Sequence, residues 1–451
     1  MRVKRDGRDV KLEVRADGAG LVSHAGAALI AETADRVGLT SALDRALGGL
    51  FERLPTHSPG GVVRDLAVML ADGGEALCDL GAVRDQQVLF GPVASDSTAY
   101  RLIERIAADP GALGRIGVAR AEARARVWRR GARPRLVVID IDATLLEAHS
   151  LKQGAAPNRK GGYGFHPMLA YLDGSQEAPA GRLRPGNAAA NTAVDQIAVL
   201  DAALEQLPGR TTAREPILMR ADSAGATHAL LDHCRARRVR YSVGFDLTEP
   251  VRAAILAVDE RAWVPALCQD GHQRDDDAAQ VAEITELLDL STWPADSRVL
   301  VRRERPHPGA QLSFTDHDGR RFQALLTDQP DTDIAYLEAR HRGHARVEDR
   351  IKDGKDTGMA KLPFRDYQMN AVWLELALIA QDLIAWTKAL CLDGELAACE
   401  PKRLRYRLLH VAARLAFHAR QAVLHLDRDW PWAPQLAAAF ARLQALPPPT
   451  R

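Results

Sequence analysis

Between residues 26 and 130, apolar positions recur at helical spacing in short runs that capping residues open and glycines close. GAALIAETADRV ends at Gly38, and TSALDRAL starts from Thr40 or Ser41. SPGGVVRDLAVMLADGG has Ser58 and Pro59 as cap and first-turn proline and stops at Gly73. SDSTAYRLIERI opens at Ser95 or Asp96. Short helices with tight turns and Ser, Thr or Arg at a helix start suit a helix-turn-helix reader of DNA, and a plain helical bundle has the same pattern.

From Arg135 the spacing changes to that of strands. RLVVIDIDATLL, FHPMLAYLDG and APAGRLRPGN are three strands whose short connections predict antiparallel neighbours. A helix, NTAVDQIAVLDAALEQL, leads to a fourth strand, EPILMRADSAG; a second helix, ATHALLDHCRARR, leads to a fifth, VRYSVGF. The order is β-β-β-α-β-α-β. Residues 246–325 mix short helical and strand-like pieces, including TWPADSRVLVRRERP and QLSFTDHDGRRFQALLTD. A helix is predicted from Ile334 to about Lys352, and NAVWLELALIAQDLIAWTKAL and RYRLLHVAARLAFHARQAVLHL both read as helical. The closing PPPTR reads as a frayed end.

Composition narrows the class. The 451 residues, 46% hydrophobic and 26% charged, are those of an ordinary globular protein with room for roughly two to four domains. No stretch reads as apolar for long enough to span a bilayer, and MRVKRDGRDVKLEVRADG lacks the apolar centre of a signal peptide, so a cytoplasmic location is expected. The five cysteines are scattered without a C-x-x-C pair, which points to neither a disulfide framework nor a structural zinc site. A net charge of +1 predicts no general attraction to nucleic acid. Arginine is nonetheless dense in ARAEARARVWRRGARPR, RHRGHARVEDRIKDGK and PKRLRYRLLH, while acid gathers elsewhere, as in RDDDAAQVAEITELLDL. Such segregation suits basic faces for phosphate, although a solvated helix face accounts equally for any single run.

Two aspartates end the first strand, in LVVIDIDATLLEAH. Residues two apart on a strand project from one face, so Asp140 and Asp142 lie together at its carboxyl end. Burying unpaired charge costs several kcal/mol, so a metal ion, a cationic partner or a reaction must justify the pair. A further aspartate, Asp222, ends the fourth strand. On the helix near residue 348, at about 100° per residue, His341, His344, Lys352 and Lys355 fall within roughly 40° of Glu348. A stop at Gly354 would remove Lys355 from that face.

D-x-D-x-T after an apolar strand resembles the haloacid dehalogenase-like phosphatases. That resemblance implies Asp140 as the nucleophile, Asp142 as acid/base and magnesium as cofactor. Ala143 replaces the usual glycine, about 135 residues precede the strand, and the later acidic candidates Asp275, Asp276 and Asp277 sit in a loop-like segment.

Over most of its length the chain resembles the DDE transposases of bacterial insertion sequences. The resemblance implies an RNase H-like catalytic core with Asp142 on the first strand, Asp222 after the fourth and Glu348 on a later helix, together binding two Mg2+ (or Mn2+) ions. It also implies DNA as partner, both the terminal inverted repeats and target DNA, and a homodimer that brings two element ends together. Members of the nearest kind carry tyrosine, arginine, glutamate and lysine at this spacing; Glu348 and Lys355 match, while His341 and His344 stand for the other two, with Arg346 or Arg342 as substitutes for the arginine. Asp140 is then a support for the site. Lys352, Lys355, Arg346 and Arg184 are the candidate DNA contacts, Arg184 together with Arg182 in the loop GRLRPGN. Trp263 and Trp293, in the inserted region, suit core packing or stacking on a flipped base. His166 reads as structural.

The expected architecture is α/β: an RNase H-like mixed sheet flanked by helices. Residues 1–130 form a helical DNA-binding domain, 131–245 the first part of the catalytic core, 246–325 a β-containing insertion, 326–400 the second part of the core and 401–451 C-terminal helices.

Overall fold

A computed structural model describes the chain except residues 1, 6–7, 210–215, 269–270, 274–278, 307–315, 318, 420 and 449–451. Asp275, Asp276, Asp277 and the last three residues of PPPTR therefore lie outside the described residues.

The apolar run before the paired aspartates forms β1 (Val138–Ala143), in the interior of a mixed sheet. β2 (Met168–Leu172) and β3 (Ala180–Arg182) follow antiparallel, as the short connections require. Before β1 lie the helices α1 (Ala27–Arg36), α2 (Leu39–Leu47), α3 (Pro59–Ala71), α4 (Asp96–Ala108) and α5 (Ala112–Val127); after β3, α6 (Ala193–Glu205) leads to β4 (Ile217–Ala221). Helix α7 (His228–Ala236) then makes the crossover to β5 (Val239–Phe245), parallel to β4. Residues 246–325 do not form a detached unit. Their strands β6 (Val264–Pro265), β7 (Ala279–Glu283), β8 (Arg298–Glu304) and β9 (Arg321–Thr327) make an antiparallel meander hydrogen-bonded to β5. Among the described residues the sheet thus has nine strands in the order β6-β7-β8-β9-β5-β4-β1-β2-β3. Every residue of β2 is buried, as expected of a strand covered on both faces.

Two N-terminal helices start where their caps predict, with Ser58 accepting from the Gly61 amide at 3.1 Å and Ser95 from the Thr98 amide at 3.3 Å; α2 does not, for it begins at Leu39 after Gly38, and the Thr40 and Ser41 hydroxyls bond to Asp35 and to the Gly38 carbonyl instead. Helices α1 and α3–α5 pack around α10 (Tyr367–Cys391), which comes after α8 (Ile334–Arg342) and α9 (Arg346–Gly354) in the chain. The expectation that no stretch suits a bilayer needs correction, because α10 has the length and a mean hydropathy of 1.2. Its apolar window is 89% buried against protein, so here it is a core helix.

The arginine-rich run of α5 also departs from the reading of a basic face. Arg120 and Arg124, one turn apart, point inward and share Asp382 of α10, at 2.8 and 2.5 Å. Arg120 also reaches Glu375, Arg124 reaches Glu177 in the β2–β3 turn, and Trp128 and Trp386 donate to the same Glu177 carboxylate. Breaking a buried pair of this kind costs about 3–5 kcal/mol, so the network locks α5 to the sheet and to α10.

The helical C-terminal region is corrected in part. RYRLLHVAARLAFHARQAVLHL contains a hairpin, Ala413–His418 with Gln421–Leu426, whose first strand pairs with Leu21–Val22. Alanine, leucine and arginine are good helix formers, but intrinsic propensity amounts to fractions of a kcal/mol per residue, and a strand partner nearly 400 residues away in sequence overrides it. Helix returns at α11 (Ala433–Ala445).

Candidate active site

Strands β1 and β4 run parallel with Asp140 opposite Arg220, so the residues two further on, Asp142 and Asp222, both sit at the carboxyl end of the sheet. Asp222 is exposed and caps the turn Ser223–Gly225, accepting from the Ala224 amide at 3.0 Å. That turn presses against β5 at Gly244, where a Cβ would stand 2.7 Å from the Ser223 nitrogen. Glu348 is exposed in the first turn of α9.

Asp142 feels all of these groups. Burial pushes its carboxyl up to about 6; the Ala143 amide, at 2.7 Å, and His344 oppose the rise, and the charges of Asp222 and Glu348 add to it. Three carboxylates from three elements therefore share one electrostatic neighbourhood, the donor set a hard divalent cation takes. Their oxygens do not all come within 4.8 Å of one another.

Asp140 is 1% exposed and has both oxygens occupied. Arg220 donates to them at 2.8 and 2.7 Å, and His344 Nδ1 lies 2.9 Å from Oδ1. Arg220 continues to the Arg340 carbonyl and, at 2.9 Å, to Asp173, which is paired in turn with Arg346 at 2.7 and 2.5 Å. Room for Arg220 comes from Gly343, where a Cβ would lie 2.6 Å from its Nη1. An aspartate so enclosed is poorly suited to act as the phosphatase nucleophile. Sequence reasoning missed Arg220, although an arginine inside the apolar strand EPILMRADSAG demands a buried carboxylate partner.

His341 and His344 do not share one continuous helical face with Glu348, because Gly343–Ala345 form a tighter turn that separates α8 from α9. His341 turns toward β5, 3.0 Å from Ser242 Oγ, and burial, with His344 and Arg220 nearby, pushes its pKa down to about 3. His344 faces Asp140 rather than solvent. Lys352 pairs with Glu400 at 3.0 Å on the exposed surface. Gly354 does not stop the helix: Lys355 keeps helical geometry at φ −60°, ψ −39° and begins a wide final turn that ends at Gly358. Burial lowers the Lys355 pKa and Lys160 lowers it further, against the attraction of Asp142 and Glu147. Lys160 is a second cation near this site that the sequence reading did not single out. It follows Asn158 in a turn of a small three-stranded sheet built by Leu146–Glu147, Ala156–Pro157 and Tyr163–Phe165.

Arg184 must be corrected as an outward-facing DNA contact. It is 2% exposed, and its guanidinium binds the His166 and Ala189 carbonyls at 2.9 Å and Asp195 at 3.2 Å, which holds its own loop closed. Arg182, 3.3 Å from Asp195, is the exposed arginine of that loop. Arg346 remains exposed beside Asp173. Trp263 is buried under Arg303, whose guanidinium lies 4.2 Å from the ring centroid. Trp293 is half-buried, stacked 4.1 Å from His228. His166 is buried, with Nδ1 2.7 Å from the Ala188 carbonyl.

Comparison with known proteins adds a family. The profile described as transposase DDE domain group 1 matches residues 4–448. Among solved structures, the chain is similar to a piggyBac transposase in a synaptic complex with hairpin DNA, at 9% identity and a TM-score of 0.42, covering 86% of this chain and 80% of that one. No curated protein matches.

Proposed function

Since the chain belongs to the transposase DDE domain group 1 family, we propose that it cleaves DNA at the inverted-repeat ends of a bacterial insertion sequence and transfers the freed strands to target DNA. The observation that carries this reading is the clustering of charge at Asp142, whose carboxyl is raised in part by Asp222 and Glu348. A site that repels its own carboxylates is one adapted to cations.

In this reading Asp142, Asp222 and Glu348 would hold two Mg2+ or Mn2+ ions. When bound, the ions supply activation of the attacking oxygen and stabilisation of the leaving one. The chain's own residues do the rest. Lys355, half-buried beside Asp142, meets the scissile phosphate, and Lys160 and Arg346 extend the cationic margin along the strand. Asp140 acts through Arg220 and His344, fixing β1 against β4 and α9 so that the three ligands keep their spacing. Water attacks first and leaves a 3′-hydroxyl; that hydroxyl then attacks a target phosphodiester and displaces its 3′-oxygen. Two subunits, one at each element end, complete the reaction in the cytoplasm.

The test is cleavage and joining of DNA bearing the element's ends, with Mg2+ or Mn2+. Asp142→Asn, Asp222→Asn and Glu348→Gln should each lower both steps by at least about 100-fold while leaving DNA binding intact. Hydrolysis of small phosphate esters that is lost in Asp140→Asn and indifferent to Glu348→Gln would instead support the phosphatase.

A further inference from the structure

Among the described residues, one group of side chains apart from the carboxylate site gathers the donors of a metal centre. The ligating atoms of His24, Asp72 and His410 all lie within 4.8 Å of one another. They come from the turn before α1, the residue that ends α3, and the end of the turn Arg405–Leu409 that precedes the C-terminal hairpin. His24 Nδ1 is 2.5 Å from Asp72 Oδ2, and His410 Nε2 is 3.2 Å from Oδ1. The two imidazoles stack with centroids 4.1 Å apart and planes inclined by 22°.

The backbone around the group is built to bring these donors together. Ala25 and Gly26 donate to the carbonyls of Val411 and Leu409 at 2.9 and 3.1 Å, so the N-terminal turn lies flat on residues 409–411. His24 itself has φ +53°, a left-handed conformation that is unfavourable for a residue with a side chain.

Hydrogen bonding alone leaves the group incomplete. The Asp72 side chain is 6% exposed, yet Oδ1 accepts no well-directed hydrogen bond, because His410 Nε2 is directed at the Asp72 main-chain carbonyl, 2.9 Å away. Protonating both stacked rings would set two imidazolium charges face to face. Arg405, the other cation near Asp72, is held on the Ala71 carbonyl at 2.9 Å and on the Asp356 carbonyl, and Glu75 faces it as well.

We propose that His24, Asp72 and His410 bind one Zn2+ ion per chain, a structural site independent of the DNA-cleaving centre. Two imidazole nitrogens and a carboxylate oxygen are zinc donors, and tetrahedral bonds of about 2.0–2.1 Å set ligand atoms about 3.3 Å apart; His410 Nε2 and Asp72 Oδ1 stand at 3.2 Å, while His24 Nδ1, hydrogen-bonded to Oδ2 at 2.5 Å, has to move outward to admit the ion. His24 and His410 are partly exposed, so a solvent molecule would supply the fourth ligand. The ion ties the N-terminal segment, α3 and the C-terminal hairpin together, and it occupies the place of the proton that the ring pair would otherwise share with Asp72.

The experiment measures zinc retained per full-length chain after dialysis, together with the visible absorption of the Co2+-substituted protein. The same measurements are made on a variant carrying Asp142→Asn, Asp222→Asn and Glu348→Gln, so that ions at the carboxylate centre are not counted. About one Zn2+ per chain is expected in both proteins, with affinity at least about tenfold weaker in His24→Asn, His410→Gln and Asp72→Asn. Should Asp72→Asn fail to fold, His24→Asn decides, since asparagine accepts the left-handed backbone. Absence of retained zinc overturns the proposal. So does zinc that disappears with the carboxylate substitutions and is indifferent to His24→Asn.

Discussion

Asp142→Asn should make the metal-free protein more stable while abolishing its chemistry. Burial and the neighbouring charges of Asp222 and Glu348 raise the Asp142 carboxyl from 3.8 to about 6. Between those values the folded chain holds a proton that the unfolded chain has released, so stability falls as pH rises through the window, and the whole penalty is present above about pH 6. A rise of that size corresponds to about 3 kcal/mol, and partial solvent access brings the expectation to about 2–3 kcal/mol. Asparagine removes the charge and keeps the oxygen that accepts from the Ala143 amide at 2.7 Å. Urea unfolding in EDTA at pH 7 should therefore show the variant more stable by that amount, with the gap closing as pH falls toward 4. Mg2+ should stabilise the wild-type chain and leave the variant unchanged. A variant that is equally or less stable at pH 7, or a gap that acid does not close, would refute the argument.

Three further outcomes follow from the same contacts. Arg220→Met strands Asp140 and should cost about 3–5 kcal/mol in urea unfolding, much of it recovered when Asp140→Leu is added; additive losses would mean that the pair is not coupled. Lys355→Gln should slow DNA cleavage by at least about tenfold, whereas Lys352→Gln, which removes only a surface partner of Glu400, should change it by less than about threefold in the same assay. Arg182→Gln should reduce the salt dependence of DNA binding by about one ion, while Arg184→Gln should leave that slope alone and lower thermal stability.

What could be read in advance was what depends on short stretches of chain. The caps at Ser58 and Ser95, the strand that ends at Asp142 and the strand that ends at Asp222 each carry their signal within a few residues. The errors arose where a distant partner decides. Leu21–Val22 turns 413–418 from helix to strand, and Asp382 draws Arg120 and Arg124 inward from what reads as a basic face. His341 left the predicted face of Glu348 because the Gly343–Ala345 turn breaks the helix, and Gly343 is small for the sake of Arg220, which lies 120 residues earlier in the contact it makes with Arg340. Lys160 was missed for the opposite reason: a lysine in a polar turn carries no local mark of what it faces.

The packing of α1 and α3–α5 on α10 bears on the order in which the molecule can be made. Arg120 meets Asp382 across 262 residues of sequence, so the helices synthesised first leave the ribosome with apolar faces uncovered and with Arg120 and Arg124 lacking the carboxylate they share. At about 5–20 residues per second, about 12 to 50 seconds pass before α10 emerges to complete that core. Throughout that interval the nascent chain offers exposed hydrophobic surface to chaperones, and a truncation that ends before Tyr367 would remain in that unfinished state.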